Sequence, residues 1–297
     1  MKARIALPEI DLGYLPAVLA QTTGQFEELG LQVELIAMRG AQEGIDALLK
    51  GHVDFVMSIG PALPAIWEGN KLKVLVQMAK THCFHLVAQE NISGLSDLGA
   101  KKIGVGLGGM TFIFACEIAA QSGIKEELYV NIPGGAAKLA ALKDGTIAAA
   151  VLAAPFHFKA LGESVRELSF DKTELGDVPF TGLVAKESYI RRNTDTVTSI
   201  VKAIVAAIRE VKTNRSAVED VLESYFGITG DVTNTYEAIN SSFDPELTEK
   251  RVQGFAAIVA KYTDRRRTAG YQYTDLRFLK KALKGGSQSK VNVSEKN

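Results

Sequence analysis

The sequence predicts an α/β protein made of two lobes built in the same way. Apolar strand-like runs alternate with segments of helical period through the first 155 residues, as in a sheet with crossover helices. This pattern runs through the chain twice and then gives way to helices with little strand between them. Together these observations indicate two Rossmann-like lobes followed by a helical wrap.

The first copy of the pattern ends near residue 79. In chain order its predicted strands are RIALPEI, LQVELIAM, VDFVMSIG and KVLVQMA, and its predicted helices are LPAVLAQTTGQFEELG, AQEGIDALLKG and PALPAIWEG. At most boundaries between these strands and helices there is a glycine or a proline, which ends one element or begins the next.

The second copy begins at Lys101. It contains the strands KIGVGL, LYVNIP and IAAAVLAAP and the helices TFIFACEIAAQSG and AAKLAALKDG. After about Pro179 one more strand, FTGLVAK, precedes three long helical segments, TDTVTSIVKAIVAAIREVKTN, SAVEDVLESYFG and ELTEKRVQGFAAIVAKYTD. The chain ends in a polar, glycine-led segment, 285–297, which we expect to be disordered.

An internal repeat supports the two lobes. At an offset of 94 (141 minus 47), Ala47-Leu48 matches Ala141-Leu142 and Gly51 matches Gly145. Gly40 also matches Gly134 and Pro61 matches Pro155, and the β-branched Val53 corresponds to Ile147. Each copy therefore has a glycine turn, an amphipathic helix, a terminating glycine, a strand and a proline-containing turn.

A glycine motif stands between the first strand and first helix of the second copy. Gly104, Gly106 and Gly109 have the spacing G-x-G-x-x-G, which occurs in dinucleotide-binding proteins. The next strand, Leu128 to Ile132, ends without the acidic residue that would hold a ribose. We therefore expect no dinucleotide and no other cofactor. The motif predicts a helix whose free N–H groups face a cleft and favour an anion or another polar ligand group.

Composition excludes several classes of partner and site. The chain has 34 basic and 34 acidic residues, so no net field favours nucleic acid. Two cysteines, Cys83 and Cys116, and four histidines show no metal-ligand spacing, and no run is long enough for a membrane span. We read both thiols as small buried side chains. Because a strand pattern begins at once, we expect either a cytoplasmic protein or one whose export signal was removed.

Taken together, several segments resemble the periplasmic substrate-binding proteins of ABC importers, in the branch that binds nitrate, sulfonates and thiamine-pyrimidine. The resemblance is carried by YLPAVLAQTTGQFEELGLQVEL, ALLKGHVDFVMSIGPALPAIWEGNKLKVL, ISGLSDLGAKKIGVGLGGMTF, ALKDGTIAAAVLAAP and PFTGLVAKESYI followed by TDTVTSIVKAIVAAIREV, roughly residues 3 to 215. It implies a type 2 periplasmic-binding-protein-like fold, in which two lobes joined by two crossovers close around a small molecule. Lobe one would comprise 1–82 and 181–297 and lobe two 83–180, with hinges at His82 and Phe180.

The resemblance also implies five ligand-binding loops at the cleft. They contribute Asp11, Gly13 and Tyr14; Arg39, Gly40, Ala41 and Gln42; Ser58, Ile59 and Gly60; Gly108, Gly109, Met110, Thr111 and Phe112; and Pro155, Phe156 and His157. Arg39, at a strand end before a helix, would pair with a carboxylate, sulfonate or phosphate.

We expect a monomeric protein that captures a small anionic organic molecule and delivers it to an importer permease. It would be periplasmic or on the cell surface if exported. Two alternatives remain at this stage. One is binding of a thiamine-precursor pyrimidine. The other is a small-molecule enzyme of the same fold, although THCFHL does not reproduce the CCCFC motif of thiamine-pyrimidine synthases and no catalytic motif is present.

Overall fold

The structure is a computed structural model that describes residues 1–79, 84–107, 109–160, 165–168, 178–179, 181–230, 232–263 and 270–285. Two of the expected features, the hinges at His82 and Phe180 and most of the tail 285–297, lie outside these ranges. None of the helices in the described part combines the length and the apolar character that crossing a bilayer requires.

The described residues form ten strands and thirteen α-helices, together with short 3-10 helices. The strands are β1 (Lys2–Leu7), β2 (Gln32–Ala37), β3 (Phe55–Val56), β4 (Leu72–Ala79), β5 (Phe84–Gln89), β6 (Ile103–Val105), β7 (Tyr129–Asn131), β8 (Ala149–Ala153), β9 (Val165–Leu168) and β10 (Thr181–Lys186). The helices are α1 (Leu15–Thr22), α2 (Gln25–Glu28), α3 (Ala41–Lys50), α4 (Ala62–Trp67), α5 (Met110–Ser122), α6 (Gly135–Lys143), α7 (Phe156–Ala160), α8 (Glu187–Arg192), α9 (Thr194–Thr213), α10 (Arg215–Ser224), α11 (Val232–Ile239), α12 (Glu249–Tyr262) and α13 (Arg277–Gly285). This mixture confirms the predicted α/β class.

The strands make two five-stranded sheets with equivalent topologies. The first has the order β2-β1-β3-β10-β4 and the second β7-β6-β8-β5-β9. In each sheet four strands run in one direction, and the fourth strand in the order runs antiparallel to both of its neighbours. The first sheet and its helices form lobe one, and the second sheet and its helices form lobe two. The two-lobe prediction is thus confirmed, with one strand of lobe one, β10, supplied after lobe two.

The sequence repeat corresponds to equivalent positions in the two lobes. Gly40 precedes α3 and Gly134 precedes α6, and the strand after each of these helices lies at the centre of its sheet. Gly51 and Gly145 follow the two helices with φ of 80° and 79°, a left-handed conformation that glycine adopts without steric cost. The repeat therefore encodes the shared strand–helix–strand unit.

The helical wrap packs on lobe one. Along α9 the buried residues recur at helical spacing, with Val197, Ile200, Val201, Ile204 and Ile208 almost fully buried. This apolar face contacts α1 and α13. Burial of such side chains contributes about 1.5–3 kcal/mol each relative to exposure, so the wrap is an integral part of the lobe.

The chain passes from one sheet to the other between Ala79 and Phe84 and returns between Leu168 and Thr181. We therefore continue to propose lobe limits of 1–82 with 181–297 and 83–180.

Candidate functional site

A cavity of about 330 Å³ lies between the two lobes. It faces the carboxyl ends of the parallel strands, where open α/β sheets usually bind ligands. Its wall consists of Pro8, Glu9, Asp11, Tyr14, Arg39, Gly40, Ala41, Gln42, Glu43, Met57, Ser58, Pro61, Phe84, Gly106, Leu107, Gly109, Met110, Thr111, Asn131, Pro133, Lys138, Ala153 and Thr181. Both lobes therefore contribute to one site.

Helix α3 of lobe one presents its N-terminus to the cavity. Gly40 precedes the helix and provides no side-chain cap, and Ala41 and Gln42 line the wall. The first N–H groups of a helix have no acceptor inside it, and the helix dipole adds partial positive charge at this end. The α3 N-terminus can therefore receive an anion or a neutral hydrogen-bond acceptor.

Arg39, just before α3, is directed differently from the sequence-based expectation. Its guanidinium donates to the Glu43 carboxylate, with Nη2–Oε1 at 3.1 Å, and its side chain is 90% exposed. The side-chain hydrogen bond to Glu43 keeps the pKa of Arg39 above its ordinary value. Glu43 also accepts from the Arg39 backbone N–H at 2.7 Å. Arg39 is therefore a paired residue at the rim of the cavity.

Helix α5 of lobe two points its N-terminus into the same cavity. Gly109 precedes the helix without a side-chain cap, and Met110 and Thr111 line the wall. The Gly106 N–H donates to Thr111 Oγ1 at 2.9 Å, which fixes the turn before the helix. The glycine motif thus builds an exposed helix N-terminus, as predicted from its sequence context.

The first glycine of the motif has a packing role. A Cβ atom at Gly104 would lie 2.6 Å from Ile147 Cδ1 and 3.6 Å from Lys138 Cγ. No side chain fits there without displacing its neighbours. The close neighbour is Ile147, and the stem of Lys138 lies at ordinary van der Waals distance from this position.

Lys138 is the cation on the inner wall of the cavity. It lies on α6, is 1% exposed and lines the wall beside Glu9 and Asp11. Burial lowers the pKa of Lys138 from its ordinary value of 10.5, and the charges of Glu9 and Asp11 act in the opposite direction. A buried ammonium group is costly unless an anion or hydrogen-bond acceptors compensate it.

Asp11 is a buried acid in the same wall. It is 6% exposed, and its Oδ1 accepts from the Gly13 N–H at 2.7 Å at the start of a short 3-10 helix, Leu12–Tyr14. Burial raises the pKa of Asp11 from 3.8 to about 7, with Glu9 adding to the rise and Lys138 opposing it. Near neutral pH this carboxyl can therefore donate or accept a proton.

Two backbone groups join the lobes beside the cavity. The Gly135 N–H at the start of α6 donates to Glu9 Oε2 at 3.1 Å, so a lobe-one carboxylate occupies the N-terminus of a lobe-two helix. The Leu12 N–H donates to the Ala154 carbonyl at 2.9 Å. Because Glu9 already occupies the α6 terminus, α3 and α5 offer their N–H groups to a ligand.

The structure brings ten of the expected ligand residues to the cavity wall. They are Asp11, Tyr14, Arg39, Gly40, Ala41, Gln42, Ser58, Gly109, Met110 and Thr111. Gly108 lies outside the described residues.

Seven other expected residues do not line this cavity: Gly13, Ile59, Gly60, Phe112, Pro155, Phe156 and His157. Gly13 packs against Thr181, and Phe156 packs against Gly135, where an added Cβ would be 2.1 Å from the ring. His157 is buried against the ring of His85, which faces away from the cavity. The aromatic rings in the lining are those of Phe84 and Tyr14.

Sequence reasoning missed Lys138 and Glu9. Glu9 follows β1 directly, and the rule that ligands bind at carboxyl ends of strands could have identified it. Lys138 gives no local signal, because a lysine in an alanine-rich helix usually lies in solvent.

Comparison with known proteins agrees with this architecture. The family model described as NMT1/THI5 like matches residues 13–216. YtlA of Bacillus subtilis (strain 168), named as a candidate binding protein, is 29% identical over 289 residues, with 88% of this chain and 83% of YtlA covered.

Two solved structures show how widely the fold is used. The periplasmic sulfonate-binding protein SsuA of Methylobacillus flagellatus KT is 17% identical, with a TM-score of 0.73 and coverage of 97% of this chain and 95% of that one. The desulfurization enzyme DSZB is 13% identical, with a TM-score of 0.70 and coverage of 96% and 99%. At these identities the likeness establishes the fold.

The family match covers more than half of the chain, and the described residues have the two-lobe architecture expected from the resemblance. The chain therefore belongs to the NMT1/THI5-like family.

Proposed function

We propose that this chain is the solute-binding component of an ABC importer and that it holds a small organic anion, of the sulfonate or carboxylate type, between its lobes. One observation carries the proposal: two uncapped helix N-termini from opposite lobes and the buried Lys138 line a single cavity. The sulfonate-binding neighbour of the same fold supports this assignment. Capture would take place outside the cytoplasm, before delivery to a permease.

The wall can stabilise an anionic group by two kinds of contact. Each helix N-terminus contributes about 0.3–1 kcal/mol at an exposed site and more where it is partly buried. The protonated form of Lys138 adds a positive charge in a position that water reaches poorly. An anion beside Lys138 would also compensate the cost of burying that ammonium group.

The rest of the wall favours an organic body on the ligand. Pro8, Met57, Phe84, Met110 and Pro133 give the cavity apolar surface, and its volume of about 330 Å³ is at the lower end of typical small-molecule pockets. A bare inorganic anion would leave most of this surface without contacts. A sulfonate or carboxylate with a short aliphatic or aromatic body fits both parts of the wall.

The perturbed acid and lysine favour a second candidate, a small-molecule enzyme of the same fold. Strongly shifted pKa values of groups in a cleft are common at active sites, and Asp11 and Lys138 share this property. The fold also occurs in the desulfurization enzyme DSZB.

Binding without turnover is the expected result for the first candidate. A thermal-shift screen would use small sulfonates, aromatic carboxylates and aminopyrimidines. A ligand at 100 times its dissociation constant stabilises a protein by about 2.7 kcal/mol, which such a screen detects readily. Mass spectrometry of the best ligand after incubation should recover it unchanged. Conversion of the ligand over many turnovers would establish the enzyme instead, and stabilisation only by aminopyrimidines would replace the anion with a pyrimidine.

Arg39→Ala is expected to weaken binding of the best anionic ligand by less than about tenfold, because exposed ion pairs contribute little. Arg39 already pairs with Glu43 at the rim. Calorimetric titration of the variant and of the matched exposed-site control Arg191→Ala checks this. A loss of several hundredfold would show that Arg39 leaves Glu43 and binds the ligand directly.

A further inference from the structure

A second cluster of polar side chains lies in lobe two, away from the ligand cavity. His85 is on β5, His157 on α7 and Glu167 on the edge strand β9. Successive residues of a strand point to opposite faces of its sheet, and Phe84 lines the cavity. His85 therefore faces the other side of the sheet, where α7 covers it.

The three side chains converge closely. One ligand atom from each of them lies within 4.8 Å of the ligand atoms of the other two. His85 Nδ1 is 2.7 Å from Glu167 Oε1, and the two imidazole rings stack with their centroids 3.6 Å apart and their planes within 3°.

Two imidazoles and a carboxylate form a ligand set suited to zinc. Zn²⁺ binds histidine nitrogen at about 2.0–2.1 Å and carboxylate oxygen at about 2.0–2.2 Å, and a set of three protein ligands leaves a fourth position for water. An ion between His85 and Glu167 would replace the direct contact between them, and their atoms would separate by less than about 1 Å. The terminal torsion of a histidine is broad, so the partly exposed ring of His85 can turn toward an ion.

The cluster is also open to an incoming ion. The side chains of His85 and Glu167 are 23% and 35% exposed, whereas His157 is 4% exposed and forms the inner end. Separations of 72 and 10 residues along the chain (157 minus 85 and 167 minus 157) match no metal-binding spacing, so sequence patterns do not indicate this cluster.

We propose that His85, His157 and Glu167 bind a divalent transition-metal ion, with zinc as the best match, at a site separate from the ligand cavity. Such an ion would connect β5, α7 and β9. Helix α7 in turn contacts lobe one, because Lys159 Nζ donates to the Phe226 carbonyl at 3.0 Å. The ion would thus stabilise the part of lobe two that adjoins α10.

Zinc titration of the full chain, after dialysis against EDTA, tests the proposal. Calorimetry should show one saturable Zn²⁺ site, zinc should raise the Tm, and MgCl₂ should do neither because Mg²⁺ prefers oxygen ligands. Even partners outside the ligand shell usually change metal affinity by about 10- to 100-fold. His85→Gln and Glu167→Gln should therefore each lower zinc affinity by more than about 100-fold.

His52→Gln is the matched control, because His52 is exposed and lies in lobe one. It should bind zinc like the parent. His85 and Glu167 are partly exposed, so their variants should fold, and circular dichroism in EDTA verifies this before titration. Absence of saturable zinc binding in the parent would overturn the proposal. The proposal would also be overturned if the His85→Gln and Glu167→Gln variants fold and bind zinc as tightly as the parent.

Discussion

Lys138→Met is expected to lower the affinity for an anionic ligand by about 30- to 5,000-fold. Removal of one partner from a buried charge pair costs about 2–5 kcal/mol, much of it from leaving the other charge unpaired. Lys138 is 1% exposed in the cavity wall, so water cannot take its place easily. Calorimetric titration with the best sulfonate or carboxylate measures the effect.

The control for this variant is Lys143→Met, at an exposed position of the same helix. It should leave affinity unchanged. Methionine has a similar length and no charge, so Lys138→Met should remain folded and circular dichroism can confirm this. A folded Lys138→Met protein with the affinity of the parent would exclude Lys138 as the anion partner.

As the pH rises, the free energy of unfolding of the parent is expected to fall by about 3–4 kcal/mol because of Asp11, and Asp11→Asn should lack this fall. The folded protein holds the Asp11 proton up to a pKa of about 7, whereas the unfolded chain releases it near 3.8. Between these values the native state binds more protons, so stability falls as pH rises. The contribution is fully present below about pH 4 and is lost once the pH exceeds about 7.

Urea unfolding at about pH 4.5 and pH 8 measures this difference in the parent, in Asp11→Asn and in the exposed-site control Asp220→Asn. Asparagine can still accept the hydrogen bond from the Gly13 N–H. The parent and Asp220→Asn should therefore lose more stability than Asp11→Asn across this interval. The same loss in all three proteins would mean that Asp11 titrates near its ordinary pKa.

Local sequence patterns predicted the elements that glycine and proline delimit. The repeated units around α3 and α6 follow directly from residues such as Gly51 and Gly145. Strand β5 was missed because His85 and Gln89 interrupt its apolar pattern, and its pairing with β8 and β9 defines it. Strand β9, with the sequence VREL, has two charged residues in four, and its pairing with β5 defines it as a strand.

In the candidate site, too, local sequence patterns predicted some residues and missed others. Its helix N-termini could be predicted because the glycines before α3 and α5 are adjacent to the helices that they open. The burial of Lys138 could not be predicted, because its neighbours in the cavity wall include Asp11, which is 127 residues earlier in the chain (138 minus 11). A lysine on an alanine-rich helix is buried here by topology.

The late position of β10 has a consequence for synthesis of the chain. In sheet one, β10 separates β3 from β4 and places Val184 opposite both Val56 and Val74. Val56 and Val74 precede Val184 by 128 and 110 residues, and contacts between residues so distant along the chain are slow to form. Every strand of sheet two, by contrast, lies between Phe84 and Leu168. During translation, lobe two can therefore complete its sheet before β10, the strand that joins β3 to β4 in lobe one, has left the ribosome.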